Sequence, residues 1–208
     1  MHLTRKAVSR KIPIKRKGTK YIVASMNDKN NSVPVLIFVR DMLKLARTNR
    51  EVKAMIHKKM LKINGRIVRD FRESIKIFNI FEADKNYKLT ILPTGKFSFE
   101  ETKEKDERIC KVVGKKVQKE GKIQFNLNDG TNIITKEKIN IGDSLILDNQ
   151  NKIKKHIAID KAKEGFVIFG KYIGRGGHIE KTEEKKIFLK FNDGGELATL
   201  NKEQVIAL

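Results

Sequence analysis

Lysine and arginine are the side chains through which this sequence can do chemistry, and what they offer is phosphate binding. Between Arg40 and Arg72 stand 11 Lys+Arg against 3 Asp+Glu. Such dense, one-signed charge is held to a polyanion by the release of counterions. Arg40, Lys44 and Arg47 recur at helical spacing, which predicts one shared face, and Arg50, Lys53 and His57 recur on a second. Lys59, Lys62 and Arg66 carry the excess onward. Residues 1–20 hold 8 Lys+Arg and no acid, among them Arg5, Lys6, Arg10, Lys11, Lys15, Arg16 and Lys17. Far downstream, Lys171 and Arg175 lie among Gly170, Gly174, Gly176 and Gly177. Glycines there let a backbone take positive φ and come close to a partner, or make a flexible surface loop. One basic face alone is as readily a solvated face; an excess continuing over two helices and a hairpin favours a surface that meets a polyanion.

Other chemistries find less support. Asp70, Asp129, Asp143 and Asp193 all sit beside turn residues, and Asp129 and Asp193 read as hairpin residues. An RNA-modifying enzyme such as a pseudouridine synthase would need a nucleophilic Asp in a large pocket, for which neither half has room. His2, His57, His156 and His178 are far apart without ligand spacing, so no metal site is expected; only His178 lies beside the glycine loop. A phosphate-cradling loop before a helix is not expected there, because no helical pattern and no GKS or GKT ending follows. The single cysteine, Cys110, rules out an intrachain disulfide or a Cys-rich zinc site and fits a reducing compartment. No signal peptide or membrane-length apolar run is present, so a cytoplasmic location is expected. No catalytic residue and no cofactor is expected.

The elements that must position these cations follow from pattern. From Val35 to about Leu45, Phe38, Met42 and Leu45 mark the apolar face of a first helix. Thr48, with Glu51 three residues on, opens a second by a capping box, with Val52, Met55 and Ile56 facing inward. Leu61–Ile63 and Arg66–Val68 flank Asn64-Gly65, the strongest short-range hairpin signal. The opening residues read either as a disordered tail or, better, as a basic arm that orders on RNA. Tyr21–Ala24 suits a short strand, Met26–Ser32 a polar loop, and Pro34 the entry to the first helix. Ile75–Phe81 and Tyr87–Leu92 read as strands, closed by Pro93-Thr94-Gly95; the charged, exposed stretch Glu100–Arg108 marks a boundary.

The remainder reads as antiparallel β with many turns. Ile123, Phe125 and Leu127 run into Asn128-Asp129-Gly130, and Ile187, Leu189 and Phe191 into Asn192-Asp193-Gly194. With Val112–Lys115 and Ile168–Lys171 upstream, this is either a quasi-repeat of two small barrels or one hairpin chemistry used twice. Ile139–Leu147 reads as strand, Gly142-Asp143 turn, strand, and Asn149–Lys155 as a connector before His156–Ile159. The net charge of +21 dominates the composition; only a polyanion, nucleic acid before an anionic membrane, relieves such self-repulsion.

The order Val39-Arg40-Asp41, Ala46-Arg47, Glu51-x-Lys53, apolar strand, Asn64-Gly65-Arg66, Arg69-Asp70 resembles the small helix-hairpin RNA-binding module of ribosomal proteins, RNA-modifying enzymes and synthetases. GKYIGRGGHI after an apolar strand resembles the KOW motif, an RNA- and protein-contacting loop on an SH3-like barrel. With CKVVGKKVQKEGKIQFNLNDGTNI and INIGDSLIL between them, and HLTRKAVSRKIPIKRKGTKY and SVPVLIFVRDMLKLA before, nearly the full length resembles the S4e family of archaeal and eukaryotic small-subunit ribosomal proteins. Phe169 stands where the family usually has a second glycine, and Asn27–Asn31 replaces its Gly-Pro-His-like segment. The chain stops at Leu208 without the longer tail of eukaryotic members, which points to an archaeal type.

The resemblance implies an α+β, mostly β fold in four parts: a basic arm at 1–34, a two-helix and hairpin RNA-binding module with flanking strands at 35–95, a central antiparallel β domain at 96–160, and a KOW SH3-like barrel at 161–208. It implies a structural constituent of the small ribosomal subunit, in the cytoplasm. Its expected partners are small-subunit ribosomal RNA and neighbouring ribosomal proteins, with no membrane and no small-molecule substrate. The rival readings are an RNA-modifying enzyme and a KOW-bearing transcription or translation factor that visits RNA transiently.

Overall fold

A computed structural model describes residues 2–103, 107–118, 121–183 and 185–208. It divides into two compact units, Met1–Lys105 and Asp106–Leu208. The division falls inside the charged stretch 100–108, of which residues 104–106 lie outside the described residues.

In the first unit, β1 (His2–Thr4) pairs antiparallel with β2 (Tyr21–Val23), so the basic opening residues form a closed loop. Val8 and Ile12 are buried, and the Phe97 N–H donates to the Lys11 carbonyl at 2.7 Å. β3 (Ser32–Pro34) then leads into α1 (Val35–Ile37), with Pro34 at the N-cap. The expected first helix forms but stops short of Leu45, and its first turn is not amphipathic. Val35–Val39 are all buried to within 1%, while Met42 and Leu45 are only half-buried. The helix widens into a π turn over Phe38–Met42, where the Leu43 N–H donates to the Phe38 carbonyl, and it ends before Lys44, which takes φ +59. A segment buried all round has no solvent face on which to set a basic stripe.

α2 (Asn49–His57), β4 (Lys62–Ile63) and β5 (Arg66–Ile67) follow as expected, with Asn64 (φ +50) and Gly65 (φ +75) making the tight turn. β6 (Ser74–Lys76) pairs with β3, and Phe78 (φ +62) breaks the chain before β7 (Ile80–Glu82). β8 (Asn86–Ile91) and β9 (Phe97–Glu101) complete a sheet in the order β5-β4-β7-β8-β9. β9 thus pairs back across the Pro93–Gly95 turn. Its Phe99 lies 6.2 Å from Phe38 and 5.6 Å from Tyr87, while Phe38 meets Phe81 edge-on at 5.0 Å.

The second unit holds two five-stranded antiparallel sheets. β10 (Glu107–Val117), β11 (Ile123–Leu127), β12 (Asn132–Thr135), β13 (Ser144–Asp148) and β14 (Ile153–Ile157) run in the order β12-β11-β10-β13-β14. Their core contains Cys110, Val112, Phe125, Leu127, Leu145 and Leu147. β15 (Glu164–Val167), β16 (Gly176–Thr182), β17 (Lys186–Phe191), β18 (Leu197–Asn201) and β19 (Val205–Ala207) run in the order β18-β17-β16-β15-β19 around Val167, Ile187, Leu189 and Phe191. The period of two places Phe125 and Leu127, and likewise Ile187, Leu189 and Phe191, on inward faces.

Four expectations need correction here. Ile139–Ile141 is not a strand: only Ser144–Asp148 is, and Ile139 reaches the core from a turn. Asn149–Lys155 is not a connector, because β14 starts at Ile153 and pairs with β13 around a turn at Asn151 (φ +63). Arg108 is not exposed but 4% accessible. The matching upstream pieces are not counterparts either, since Val112–Lys115 lies within β10 and Ile168–Lys171 in the turn after β15.

Candidate nucleic-acid interface

The helix-hairpin cations are set by one cap and one turn. The Thr48 hydroxyl accepts the Glu51 N–H at 3.3 Å and donates to the Glu51 carboxylate at 3.0 Å. The other oxygen of that carboxylate accepts the Arg47 N–H at 2.7 Å. The Arg47 backbone bond, then the Thr48 hydroxyl, hold Glu51 below the usual carboxylate range. With Val52 and Ile56 buried, the opposite face of α2 turns outward and exposes Arg50, Lys53 and His57. Lys59, at φ +57, ends the helix. The hairpin is docked on β7 by Asn64, whose N–H donates to the Ile80 carbonyl at 2.8 Å and whose Oδ1 accepts the Ile80 N–H at 2.9 Å.

The cations differ in what already neutralises them. Arg40 is half-buried and forks onto Asp41 at 2.8 and 3.0 Å, a hydrogen bond that raises its pKa. Lys62 lies 3.5 Å from Glu82, and Arg66 pairs with Glu73. Lys44, Arg47, Arg50, Lys53 and Lys59 are exposed, with no acid within ion-pair distance among the described residues. Lys53 sits 5.0 Å over the Phe71 ring, which Arg72 also covers at 5.6 Å. Arg72 holds Asp70 below its ordinary pKa, its hydrogen bond being the main cause. Phe71 and Arg72 belong to this surface although spacing did not single them out; the signal was an aromatic amid basic residues.

The expected grouping of Arg40 with Lys44 and Arg47 does not occur on a helix face, because no helix spans them. Arg40 meets the arm instead. Arg5, Lys15, Lys17 and Arg40 line one cavity of about 490 Å³. Arg5 donates to the Thr19 carbonyl at 2.8 Å, the Lys15 carbonyl at 2.5 Å and the Thr19 hydroxyl at 3.1 Å. Gly18, at φ +139, closes over it, and a Cβ there would stand 2.7 Å from the guanidinium. Lys11 is half-buried and donates to Asn31 Oδ1 at 2.6 Å; burial lowers its pKa. Lys6, Arg10, Lys15, Arg16 and Lys17 stay exposed.

In the second unit, the glycine loop is a closed turn from β15 to β16. The Gly174 N–H donates to the Val167 carbonyl at 2.8 Å, and the Val167 N–H to that of Arg175 at 2.9 Å. Gly170 and Gly174 have positive φ, whereas Gly176 and Gly177 are strand residues. At Gly177 a Cβ would come 2.3 Å from the Lys190 carbonyl oxygen, so that glycine serves strand packing. Lys171 is exposed and lies 5.3 Å over the Tyr172 ring; Arg175 lies between Tyr172 (5.9 Å) and Phe191 (5.4 Å), 3.6 Å from Glu196.

Asp129, Asp143 and His156 of the second unit are committed to structure. Asp129 pairs with Arg108 at 3.1 Å, side chains 2% and 3% accessible, and also accepts the Thr131 N–H. Burial, then Asp129, pushes the Cys110 thiol up. Asp143 accepts the N–H groups of Asn140 and Ile159 and lies 2.7 Å from His156. His178 is exposed on β16. Among the described residues no group of three or more His, Cys, Asp or Glu is placed to hold a metal, and no helix is long and apolar enough to cross a membrane.

With this geometry in view, the relatives are informative. The model of the ribosomal family S4e matches residues 83–153. Small ribosomal subunit protein eS4 of Methanocella arvoryzae is 30% identical over 187 residues, covering 86% of this chain and 80% of its own. The eS4 of Methanocaldococcus jannaschii is 29% identical over 203 residues, covering 90% and 83%. The crystal structure of the 30S ribosomal protein S4e from Thermoplasma acidophilum matches with a TM-score of 0.74 at 23% identity, over 86% of this chain and 96% of that one, a likeness of fold.

Proposed function

The chain belongs to the ribosomal S4e family, a family of ribosomal proteins and not of enzymes, and on that footing we propose that it is a structural constituent of the small ribosomal subunit in the cytoplasm, held by small-subunit ribosomal RNA beside neighbouring ribosomal proteins. The observation that supports the reading is the set Lys44, Arg47, Arg50, Lys53 and Lys59, exposed around one short helix with no acid within ion-pair distance among the described residues. Phosphates are the natural counter-charge, and such contacts fix position while RNA shape supplies any preference.

The arm (1–34) and the module (35–95) form the main contact in this reading. The KOW loop contributes Lys171 chiefly, and Arg175 through its stacking. The central domain (96–160) and the rest of the KOW barrel (161–208) space and support them. In cell lysate the chain should sediment with small subunits in low salt and be stripped only in high salt. A chain that sediments free of subunits at low ionic strength would overturn this.

A further inference from the structure

The cavity between arm and first helix has the chemistry of a nucleotide site. We propose that it takes one unstacked nucleotide, phosphate and base together, from a single-stranded segment of the bound RNA; the inference rests on the RNA-binding reading above. Four cations and one acid, Asp41, line it. Arg40 is matched by Asp41, but Arg5 is bonded to two neutral carbonyls and a hydroxyl, so its position is fixed while its charge is uncompensated. Lys15 and Lys17 are exposed beside it. A fixed guanidinium with two exposed ammonium groups in the same lining is an anion seat that needs little reorganisation.

Much of the remaining lining is apolar. Ile14, Ile22 and Leu36 belong to it, and Tyr21 adds a ring that is 48% accessible. Unstacked bases are held on such aromatic and apolar surfaces. Asn49 also reaches the cavity and can both donate to and accept from a base edge. At about 490 Å³ the space lies within the range of small-ligand sites. The lining is drawn from positions between Arg5 and Asn49, which is why no spacing pattern in the chain announces the site.

A nucleotide could come from RNA or from solution, and the test separates them. The full chain is titrated with an in vitro transcript of small-subunit ribosomal RNA and, separately, with AMP. Lys15→Ala/Lys17→Ala and Tyr21→Leu are compared with Arg47→Ala/Arg50→Ala, and photo-crosslinks are mapped by mass spectrometry. Tyr21→Leu should weaken transcript binding about tenfold, as loss of one base stack does. The double lysine variant should lower the log–log salt slope by about 1 to 2. A nucleotide should crosslink to Tyr21, and AMP should bind far more weakly than the transcript. Wild-type affinity and no Tyr21 crosslink, while Arg47→Ala/Arg50→Ala still weakens binding, would overturn the site and leave the ribosomal reading standing. AMP binding tighter than the transcript would overturn the RNA source. Failure of the wild-type chain to bind the transcript would overturn the reading beneath it.

Discussion

Lys111 offers a direct test of how this fold treats its cations. It lies in β10 with 4% of its surface accessible, and its ammonium donates to the carbonyls of Lys202 at 2.5 Å and Val205 at 2.6 Å, joining one sheet of the second unit to the other. Burial lowers its pKa from 10.5 to about 8, against the opposing pull of Glu203. Between those two values the unfolded chain binds the proton and the folded chain does not, so stability rises with pH through that window and the burial cost is fully present below it. A shift of this size corresponds to about 3 kcal/mol, of which about 2 kcal/mol should be recovered between about pH 7 and about pH 9.5. Other lysines also titrate, so the measurement is a difference. Urea unfolding of wild type and Lys111→Met is compared at both pH values. The two carbonyls stranded by the substitution cost the same at either pH and cancel. Wild type should gain about 2 kcal/mol on the variant at the higher pH; a flat or falling difference would refute the reasoning.

The remaining predictions concern binding and packing. Arg47→Ala and Arg50→Ala should each weaken RNA binding and reduce the log–log salt slope by about one, read by filter binding over a salt series; an unchanged slope means those side chains meet no phosphate. Gly177→Ala drives a methyl into the Lys190 carbonyl and should destabilise the second unit by about 3 kcal/mol, seen as a lowered thermal midpoint. Arg108→Met leaves Asp129 buried without its partner and should cost about 3–5 kcal/mol in urea unfolding, whereas an Arg108→Met/Asp129→Leu pair should recover part of that loss.

What the sequence disclosed was local. Asn64-Gly65, the Thr48–Glu51 cap and the alternation at Ile123–Leu127 and Ile187–Phe191 each act within a few residues, and each appears as expected. The failures are long-range. Phe38, Met42 and Leu45 fit a 3.6-residue period, but burial of Val35–Val39 on every side and the π turn after Ile37 override it. That in turn separates Arg40 from Lys44 and Arg47. Phe97–Glu101 lies beyond a turn and runs into the charged stretch that starts at Glu100, yet cross-strand pairing and the Phe38–Phe99 contact recruit it to the sheet. No spacing marks Arg5 or Lys111 as internal, because their acceptors lie 10 to 94 residues away.

These cases share a cause that bears on how a chain of net charge +21 folds. Self-repulsion of that size must be met within the fold or left for a partner. The structure does both, by separate means. Arg108 is matched by buried Asp129, Arg40 by adjacent Asp41, and Arg5, Lys11 and Lys111 spend their donors on uncharged oxygens. Those residues hold loops and sheets in place, and apart from Arg5 and Arg40, which line the cavity beside the arm, they would gain little from RNA. The exposed cations of α2 and of the arm have no such internal use, so their mutual repulsion persists until phosphate arrives. Binding should therefore stabilise the first unit in proportion to the charge it neutralises. Its melting midpoint should climb on addition of RNA and lose that gain as salt is raised, while replacing Arg47 and Arg50 should raise the midpoint of the free chain even as it weakens the complex.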